Sequence, residues 1–300
     1  EVEPTLLVAV SFLLMYGLMF GDVGHGLVLA LIGLGMRFRG KGDQIRDIGY
    51  IVAAAGVTSI GAGVLYGSFF GMEGLPWLPA VWVHPMREVE TILAAPVLIG
   101  FALISLGVLL NIVNRFRGGR YLEAVVDRFG VVGIVFYWGA LGIGVRYVTR
   151  GGETPSAAAV VLLIVLPLLI LFFREPLLGL LSRRHGEESE GAFMAVMHGG
   201  INLMETVSSY LANTVSFARV GAFALAHAGL CVAVFSLAEI VRAMPGGPVL
   251  GLLVLVAGNA LVIVLEGLIV FVQCLRLEYY EFFGKFFQGT GKKYAPFKVR

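Results

Sequence analysis

Charged residues and cysteines are scarce in this sequence. Lys, Arg, Asp and Glu together make up 14% of the 300 residues, whereas they approach a quarter of an ordinary soluble domain. The two cysteines, Cys231 and Cys274, both lie within apolar runs, where cysteine behaves as a small hydrophobic residue. A disulfide scaffold is thereby excluded, and the sequence predicts neither a metal site nor a cofactor.

Several common functional motifs are also missing. The chain has no G-x-x-x-x-G-K-[ST] loop, no H-E-x-x-H and no G-x-S-x-G, so we expect no nucleotide site and no zincin or hydrolase chemistry. It opens with EVEPTLLVAV, without a basic segment or an initiator methionine, which indicates a fragment rather than a precursor with a signal peptide. We expect no nucleic-acid partner.

Long hydrophobic runs dominate what remains. Hydrophobic residues make up 58% of the chain, and the runs are too long for the alternating strands of a membrane β-barrel. At 1.5 Å per residue across a hydrocarbon core, eight candidate spans are found, at about 5–20, 24–38, 48–70, 91–114, 129–149, 156–173, 192–241 and 248–287. The sequence therefore predicts an all-α integral membrane protein with eight transmembrane helices.

The first two and the last two spans differ from the others. The first two are short and separated by GDVG, so they form either two crossings or a tight re-entrant hairpin. The last two are apolar for far longer than a perpendicular crossing requires, so they must tilt, bend or project beyond the bilayer. We expect two long, strongly tilted helices. We further expect one membrane domain, 1–300, made of a six-helix bundle, 1–190, and a two-helix part, 191–300.

The connections between spans predict the orientation. With the amino terminus in the cytoplasm, the inside segments hold 16 Lys and Arg and the outside segments hold 4. The positive-inside rule then favours eight crossings with both termini cytoplasmic. Two cations, Arg219 and Arg276, belong to no connection and lie within the long final spans.

An ionisable side chain inside a membrane costs several kcal/mol and usually faces protein or water for a functional reason. Arg219 lies deep in the stretch NTVSFARVGAFALAHAGL, surrounded by small residues that permit a second helix to approach closely. Arg276 lies nearer the cytoplasmic end, so extension toward the headgroups or pairing with Glu278 or Glu281 is an alternative there. A transport role is the reading we favour for Arg219.

Titratable residues occur on both sides of these arginines. Glu205 lies 14 residues before Arg219 and His227 lies 8 residues after it, roughly 21 Å and 12 Å away along a regular helix. Glu266 lies 10 residues before Arg276, roughly 15 Å by the same rise. Gln273 follows Glu266 on nearly the same helical face and continues a polar path toward Arg276. Offset half-channels for ions, separated by a fixed central cation, would need this arrangement.

A second polar group occurs in MFGDVGHG, where Asp22 and His25 lie near the outer end of the first hairpin. One aspartate and one histidine at this spacing are a poor metal site. Two roles stay open for them, an outer proton pathway and stabilisation of the loop. His227 also has a simpler alternative, that of a hydrogen-bonded core histidine.

The motifs MFGDVGHG, YGSFFG, NTVSFARVGAFALAHAGL and EGLIVFVQCLRLEYYEFFGKFFQGTGKKYAPF resemble the membrane part of the large stator subunit, called a or I, of V-type and V/A-type rotary ATPases. The resemblance extends across essentially the whole chain. It implies a bacterial or archaeal plasma-membrane protein whose two final helices face a rotating ring of proteolipid subunits. It also implies peripheral-stalk partners, reached through a cytoplasmic amino-terminal domain that we expect this chain to lack.

The resemblance assigns roles to individual residues. Arg219 and Arg276 match the family's paired arginines, which separate two half-channels. The family's acids match Glu205 and Glu266, and its polar pathway residues match His227 and Gln273. These roles imply a subunit that conducts protons while ATP is made or hydrolysed by other subunits.

Two other classes of protein remain as alternatives. A self-contained secondary transporter would use the buried arginine to bind an anionic substrate. A purely structural membrane scaffold is the second alternative, but it leaves Arg219 without a purpose.

Overall fold

The computed structural model describes residues 3–151, 154–174 and 192–287, and these residues are predominantly helical. In chain order the elements are α1 (Thr5–Met19), α2 (Val23–Arg39), α3 (Asp43–Tyr66), β1 (Ser68–Phe69), β2 (Met72–Glu73), α4 (Val89–Arg117), α5 (Tyr121–Val126), α6 (Val131–Thr149), α7 (Ala157–Val160), α8 (Leu166–Phe172), α9 (Ala192–Ser216), α10 (Ala218–Arg242), α11 (Gly247–Leu261) and α12 (Gly267–Leu277). Strands β1 and β2 form one short antiparallel hairpin.

Among the described residues, five helical stretches are long and apolar enough to cross a membrane. They are Asp43–Tyr66, Val89–Arg117, Tyr121–Tyr147, Val196–Arg242 and Gly247–Lys285. Two further apolar stretches, Thr5–Met19 and Ala157–Phe172, are shorter. The all-α membrane class predicted from the sequence is therefore confirmed, while eight crossings and strong tilt stay predictions.

In each of the two longest stretches, the regular α-helix is interrupted. The sequence predicts that these two stretches tilt, bend or project beyond the bilayer. Helix α9 ends at Ser216 and α10 begins at Ala218, with Phe217 almost fully buried between them. The Phe217 N–H donates to the Thr214 carbonyl three residues back, at 3.3 Å, instead of continuing the α-helical ladder. Between α11 and α12 the chain forms a π-helical turn, Val262–Glu266. Such turns inside helices often occur at functional sites.

The described chain forms two compact units. Of the described residues, unit 1 contains 3–4, 105–151, 154–174, 192–208 and 282–287, and unit 2 contains 5–104 and 209–281. Helices α4 and α9 each contribute to both units along the sequence. The predicted division at 190–191 lies outside the described residues and stays a prediction.

Unit 2 contains a closely packed pair of antiparallel helices, α2 and α3. Their backbones approach closely because glycines recur every seven residues along the contact, at Gly26 and Gly33 on α2 and at Gly49, Gly56 and Gly63 on α3. A Cβ atom added at Gly56 would lie 2.4 Å from the Ala30 backbone nitrogen. Small residues thus bring the two backbones together, as in other membrane helix pairs.

We expect Gly56→Ala to destabilise the protein, because the new methyl group meets backbone that cannot rotate away. Overpacking of this kind costs roughly 1–3 kcal/mol. Gly61→Ala is the matched control on the same helix, since a Cβ there meets nothing within 4 Å. Thermal unfolding in detergent should show a lowered midpoint for Gly56→Ala alone. Equal midpoints for the two variants would contradict the tight α2–α3 contact.

Candidate functional site

Arg219 lies at the start of α10, half-buried, and is held by a neutral partner. Its Nη1 donates a hydrogen bond to Oε1 of Gln273 on α12, at 3.3 Å. Within the described residues, no carboxylate forms an ion pair with Arg219. The guanidinium is therefore positioned by an amide, and its charge is left uncompensated by the residues that the structure describes.

The sequence placed Gln273 on a path toward Arg276, and the structure brings it to Arg219. Arg276 follows Gln273 by three residues and is exposed. Neither Glu278 nor Glu281 forms an ion pair with Arg276, and both carboxylates are buried. The ion pairs of the described residues thus give no support to the pairing alternative for Arg276, and its role stays a prediction.

Arg276 lies in an exposed row on α12. Leu268 and Val272 precede it by eight and four residues, so the three side chains share one helical face. Leu268 is 62% exposed and Val272 is 53% exposed. A guanidinium in the middle of an uncovered apolar face is typical of a surface that another protein or lipid covers.

His227 and Glu266 form a buried polar pair in unit 2. The His227 Nδ1 atom lies 2.7 Å from the Glu266 Oε2 atom, and both residues are less than 10% exposed. Helix α10 contributes the histidine, and the last residue of the π-helical turn contributes the glutamate. Two residues that the sequence named separately therefore act as one hydrogen-bonded unit.

His25 lies beside this pair. Its ring centroid is 5.2 Å from that of His227, and its Nε2 lies 2.7 Å from the Asn259 Oδ1 atom on α11. Asn259 was not among the functional residues predicted from the sequence. The signal was present, because Asn259 is the only polar side chain between residues 248 and 265, and a polar residue in such a run usually has a partner inside the membrane protein.

Asp22 is fully buried and organises the loop that follows α3. Its Oδ1 accepts hydrogen bonds from the backbone N–H groups of His25 and Phe70, each at 2.9 Å. Its Oδ2 accepts from the Ser68 hydroxyl at 2.6 Å and from the Gly71 N–H at 2.7 Å. Because these donors occupy both carboxylate oxygens, the contacts support the loop-stabilising alternative for Asp22. A pathway role stays a prediction.

Glu205 lies in unit 1, where it forms an ion pair with Arg128. The pair borders a polar cavity of about 350 Å³. Further charged residues of this cavity are bridged by Asp127, which lies 2.5 Å from Arg115 and 2.9 Å from Arg174. Glu205 was predicted from the sequence as a functional residue, whereas these arginines were not, because their charge alone indicated loops.

Together, these features define an all-α membrane protein with polar pairs buried among apolar helices. The chain matches the model of the V-type ATPase 116kDa subunit family over residues 1–92 and 180–299. It therefore belongs to this family, and the family predicted from the sequence motifs is confirmed.

Curated relatives agree with the family match. The chain is 29% identical over 333 residues to an A-type ATP synthase subunit I of Methanocaldococcus jannaschii, covering 100% of this chain and 45% of that protein. It is 28% identical to the proteins of that name from Aeropyrum pernix and Thermococcus kodakarensis, covering 100% of this chain and 48% and 44% of theirs. The chain thus spans slightly less than half the length of these relatives.

Proposed function

We propose that the chain is the membrane stator of a V/A-type rotary ATPase and forms two proton half-channels beside a proteolipid ring. Its relatives are named as subunits of an A-type ATP synthase. In this proposal the chain crosses the membrane eight times with both termini in the cytoplasm. Peripheral stalks are contacted through a cytoplasmic domain outside this sequence.

The observation that carries the proposal is the uncompensated charge of Arg219. An arginine inside a membrane protein ordinarily pairs with a carboxylate, yet the partner here is the neutral Gln273. A carboxylate on a passing ring helix can supply the missing countercharge. Because opposite charge favours ionisation, that carboxyl group releases its proton when it reaches Arg219.

The two half-channels follow from the remaining polar groups. His227 and Glu266 belong to the outer half-channel, where a hydrogen-bonded imidazole and carboxylate can pass a proton between them. Glu205 belongs to the cytoplasmic half-channel, and its place beside a polar cavity supports access to water. A fixed guanidinium between the half-channels repels protons and prevents a continuous leak.

The proposed cycle couples these steps to rotation. During synthesis a proton enters from outside past Glu266 and His227 and neutralises a ring carboxylate, which can then enter lipid. After rotation the carboxylate meets the cytoplasmic half-channel and releases its proton past Glu205. Hydrolysis of ATP by other subunits reverses the route.

The exposed row on α12 provides the test. If Leu268 faces the ring, Leu268→Trp in the assembled complex should lower the recovery of the carboxylate-bearing proteolipid several-fold, because the indole occupies space that a ring helix needs. Leu6→Trp is the matched control, since Leu6 on α1 is 74% exposed and lies on another helix. Recovery would be measured by mass spectrometry of the complex purified through this chain.

Absence of any proteolipid from the wild-type complex would contradict the proposal. Uptake of an anionic substrate by the purified chain would instead favour the secondary-transporter alternative. Equal proteolipid recovery for both tryptophan variants would show that the ring contacts a different face.

A further inference from the structure

Unit 2 brings together three buried side chains that bind transition metals. His25, His227 and Cys231 are each no more than 3% exposed. One ligand atom from each residue lies within 4.8 Å of the other two. Neither Arg219 nor Gln273 takes part in this cluster. We infer that His25, His227 and Cys231 bind a thiophilic divalent cation such as Zn²⁺, and that the bound ion inhibits proton transport.

The hydrogen bonds around the two imidazoles leave one nitrogen of each available. The His227 Nδ1 atom is hydrogen-bonded to Glu266, and its Nε2 atom lies 3.9 Å from the Cys231 sulfur. In the tautomer that donates from Nδ1 to the carboxylate, Nε2 carries the free lone pair. The Nε2 atom of His25 is hydrogen-bonded to the Asn259 Oδ1 atom. The remaining nitrogen, Nδ1 of His25, is buried, makes no hydrogen bond among the described residues and lies 3.4 Å from the Asp22 Oδ1 atom. A buried ring nitrogen beside a carboxylate but without a hydrogen bond has a coordination position open to a further ligand.

The contact between His227 and Glu266 has the form that supports a metal-binding histidine. Such a histidine usually donates its second ring N–H to a carboxylate, which fixes the ring and makes the ligating nitrogen more basic. With the His227 Nδ1 proton donated to Glu266, Nε2 faces Cys231 in the correct tautomer. The second hydrogen bond, from His25 to Asn259, holds the other ring in the same way.

The donor set selects the class of ion. Two imidazole nitrogens and one sulfur suit Zn²⁺ or Cd²⁺, whereas Mg²⁺ and Ca²⁺ prefer oxygen ligands. In a tetrahedral zinc site, neighbouring ligand atoms are roughly 3.3–3.7 Å apart. The ligand atoms here lie within 4.8 Å of one another, so each pair needs to close by up to roughly 1.5 Å to reach zinc distances. A water molecule would complete the coordination.

Charge balance also favours a divalent ion. Binding converts the Cys231 thiol to a thiolate and releases its proton to solvent. The thiolate, the Glu266 carboxylate and the Asp22 carboxylate, which lies 3.4 Å from the His25 Nδ1 atom, then place negative charge around the ion. No electron transfer or additional reactant is required.

The inhibition rests on the proposed function, because the cluster contains His227 and adjoins Glu266 of the outer half-channel. A bound ion would occupy the lone pair through which His227 exchanges a proton. It would also place a fixed positive charge where protons must arrive. Transport therefore stops without any change at Arg219.

The test uses the assembled complex containing the full-length subunit, with Cys231→Ser compared against Cys274→Ser. Cys274 is the matched control because it is the other buried free cysteine of the chain. The first measurement is the ultraviolet thiolate-to-metal absorption that appears on titration with Cd²⁺. We expect wild type and Cys274→Ser to show the same band, and Cys231→Ser to lose it.

The second measurement is ATP-driven proton uptake in vesicles over a Zn²⁺ titration, with each variant normalised to its own metal-free rate. We expect the inhibitory concentration to rise at least about 10-fold for Cys231→Ser, as loss of ligand support weakens metal affinity by 10–100-fold. Should Cys231→Ser fail to assemble, His25→Gln removes a different ligand and should raise the inhibitory concentration in the same way.

The two measurements separate the possible failures. An unchanged cadmium band in Cys231→Ser overturns the metal site. Loss of the band with equal zinc inhibition in all variants overturns the inhibitory role of the site. Failure of the proposed stator function would instead appear as absent proton uptake in the wild-type complex before metal is added.

Discussion

Replacing Arg219 with alanine is expected to abolish ATP-driven proton uptake by the assembled complex. Removal of a single positioned charge donor commonly lowers a rate by about 100- to 1,000-fold, and under the proposed function it also removes the barrier between the two half-channels. In that proposal, a ring carboxylate loses the partner that favours its ionised form, and protons can leak between the half-channels. Uptake would be followed with a pH-sensitive dye in vesicles.

The matched control for this prediction is Arg242→Ala. Arg242 ends the same helix, α10, and is exposed, so its removal should leave uptake nearly unchanged. Arg219→Lys separates charge from shape, because lysine keeps the positive charge but lacks the planar fork of donors. We expect Arg219→Lys to retain the block against leakage and to pump more slowly than wild type. Pumping by Arg219→Ala at the wild-type rate would overturn the stator proposal.

The second large effect is expected for Glu266→Gln. The amide oxygen of glutamine can still accept the hydrogen bond from His227 Nδ1, which is 2.7 Å from the carboxylate in the native protein. The packing therefore survives, while the carboxyl group that we propose binds and releases a proton is lost. Loss of a positioned acid or base typically costs 10²- to 10⁴-fold in rate, so proton uptake should fall by at least about 100-fold.

Three further variants make the Glu266 prediction specific. Glu239→Gln changes an exposed glutamate on α10 and should leave uptake unchanged. His227→Gln should lower uptake strongly, and the double variant with Glu266→Gln should be little worse than either single variant, because residues that act as one unit are not additive. Multiplicative losses in the double variant would show that His227 and Glu266 act independently. Unfolding midpoints should remain close to wild type in the Glu266→Gln complex.

The sequence was sufficient to predict the helical membrane class and to single out the two arginines that lie within apolar runs. Length, continuity and charge are local properties of a chain, and they control how each segment partitions between water and lipid. The same reasoning singled out Arg219 and Arg276, because a charge within an apolar run is visible without a fold. The motifs around them then indicated the family that the comparisons confirm.

Hydrogen bonds between residues far apart in the sequence could not be predicted from such local properties. The contact from His227 to Glu266 joins positions 39 residues apart, and that from His25 to Asn259 joins positions 234 apart. Periodicity reports which face of one helix is apolar, but it contains no information about which helix packs there. The interruption at Phe217 is also invisible to an apolar count, because it depends on hydrogen bonds that the tertiary packing selects.

The first hairpin and the cysteine illustrate the same limit. From the sequence, Asp22 and His25 make a poor metal site, and Cys231 is an ordinary small hydrophobic residue. In the folded protein, Asp22 accepts hydrogen bonds from the loop that follows α3, and His25 lies beside His227 and Cys231. The sequence by itself determined that this chain is a helical membrane protein with charges where lipid would exclude them. Only the tertiary structure decided which groups meet, because burial in lipid is a property of each segment and a binding site is a property of their packing.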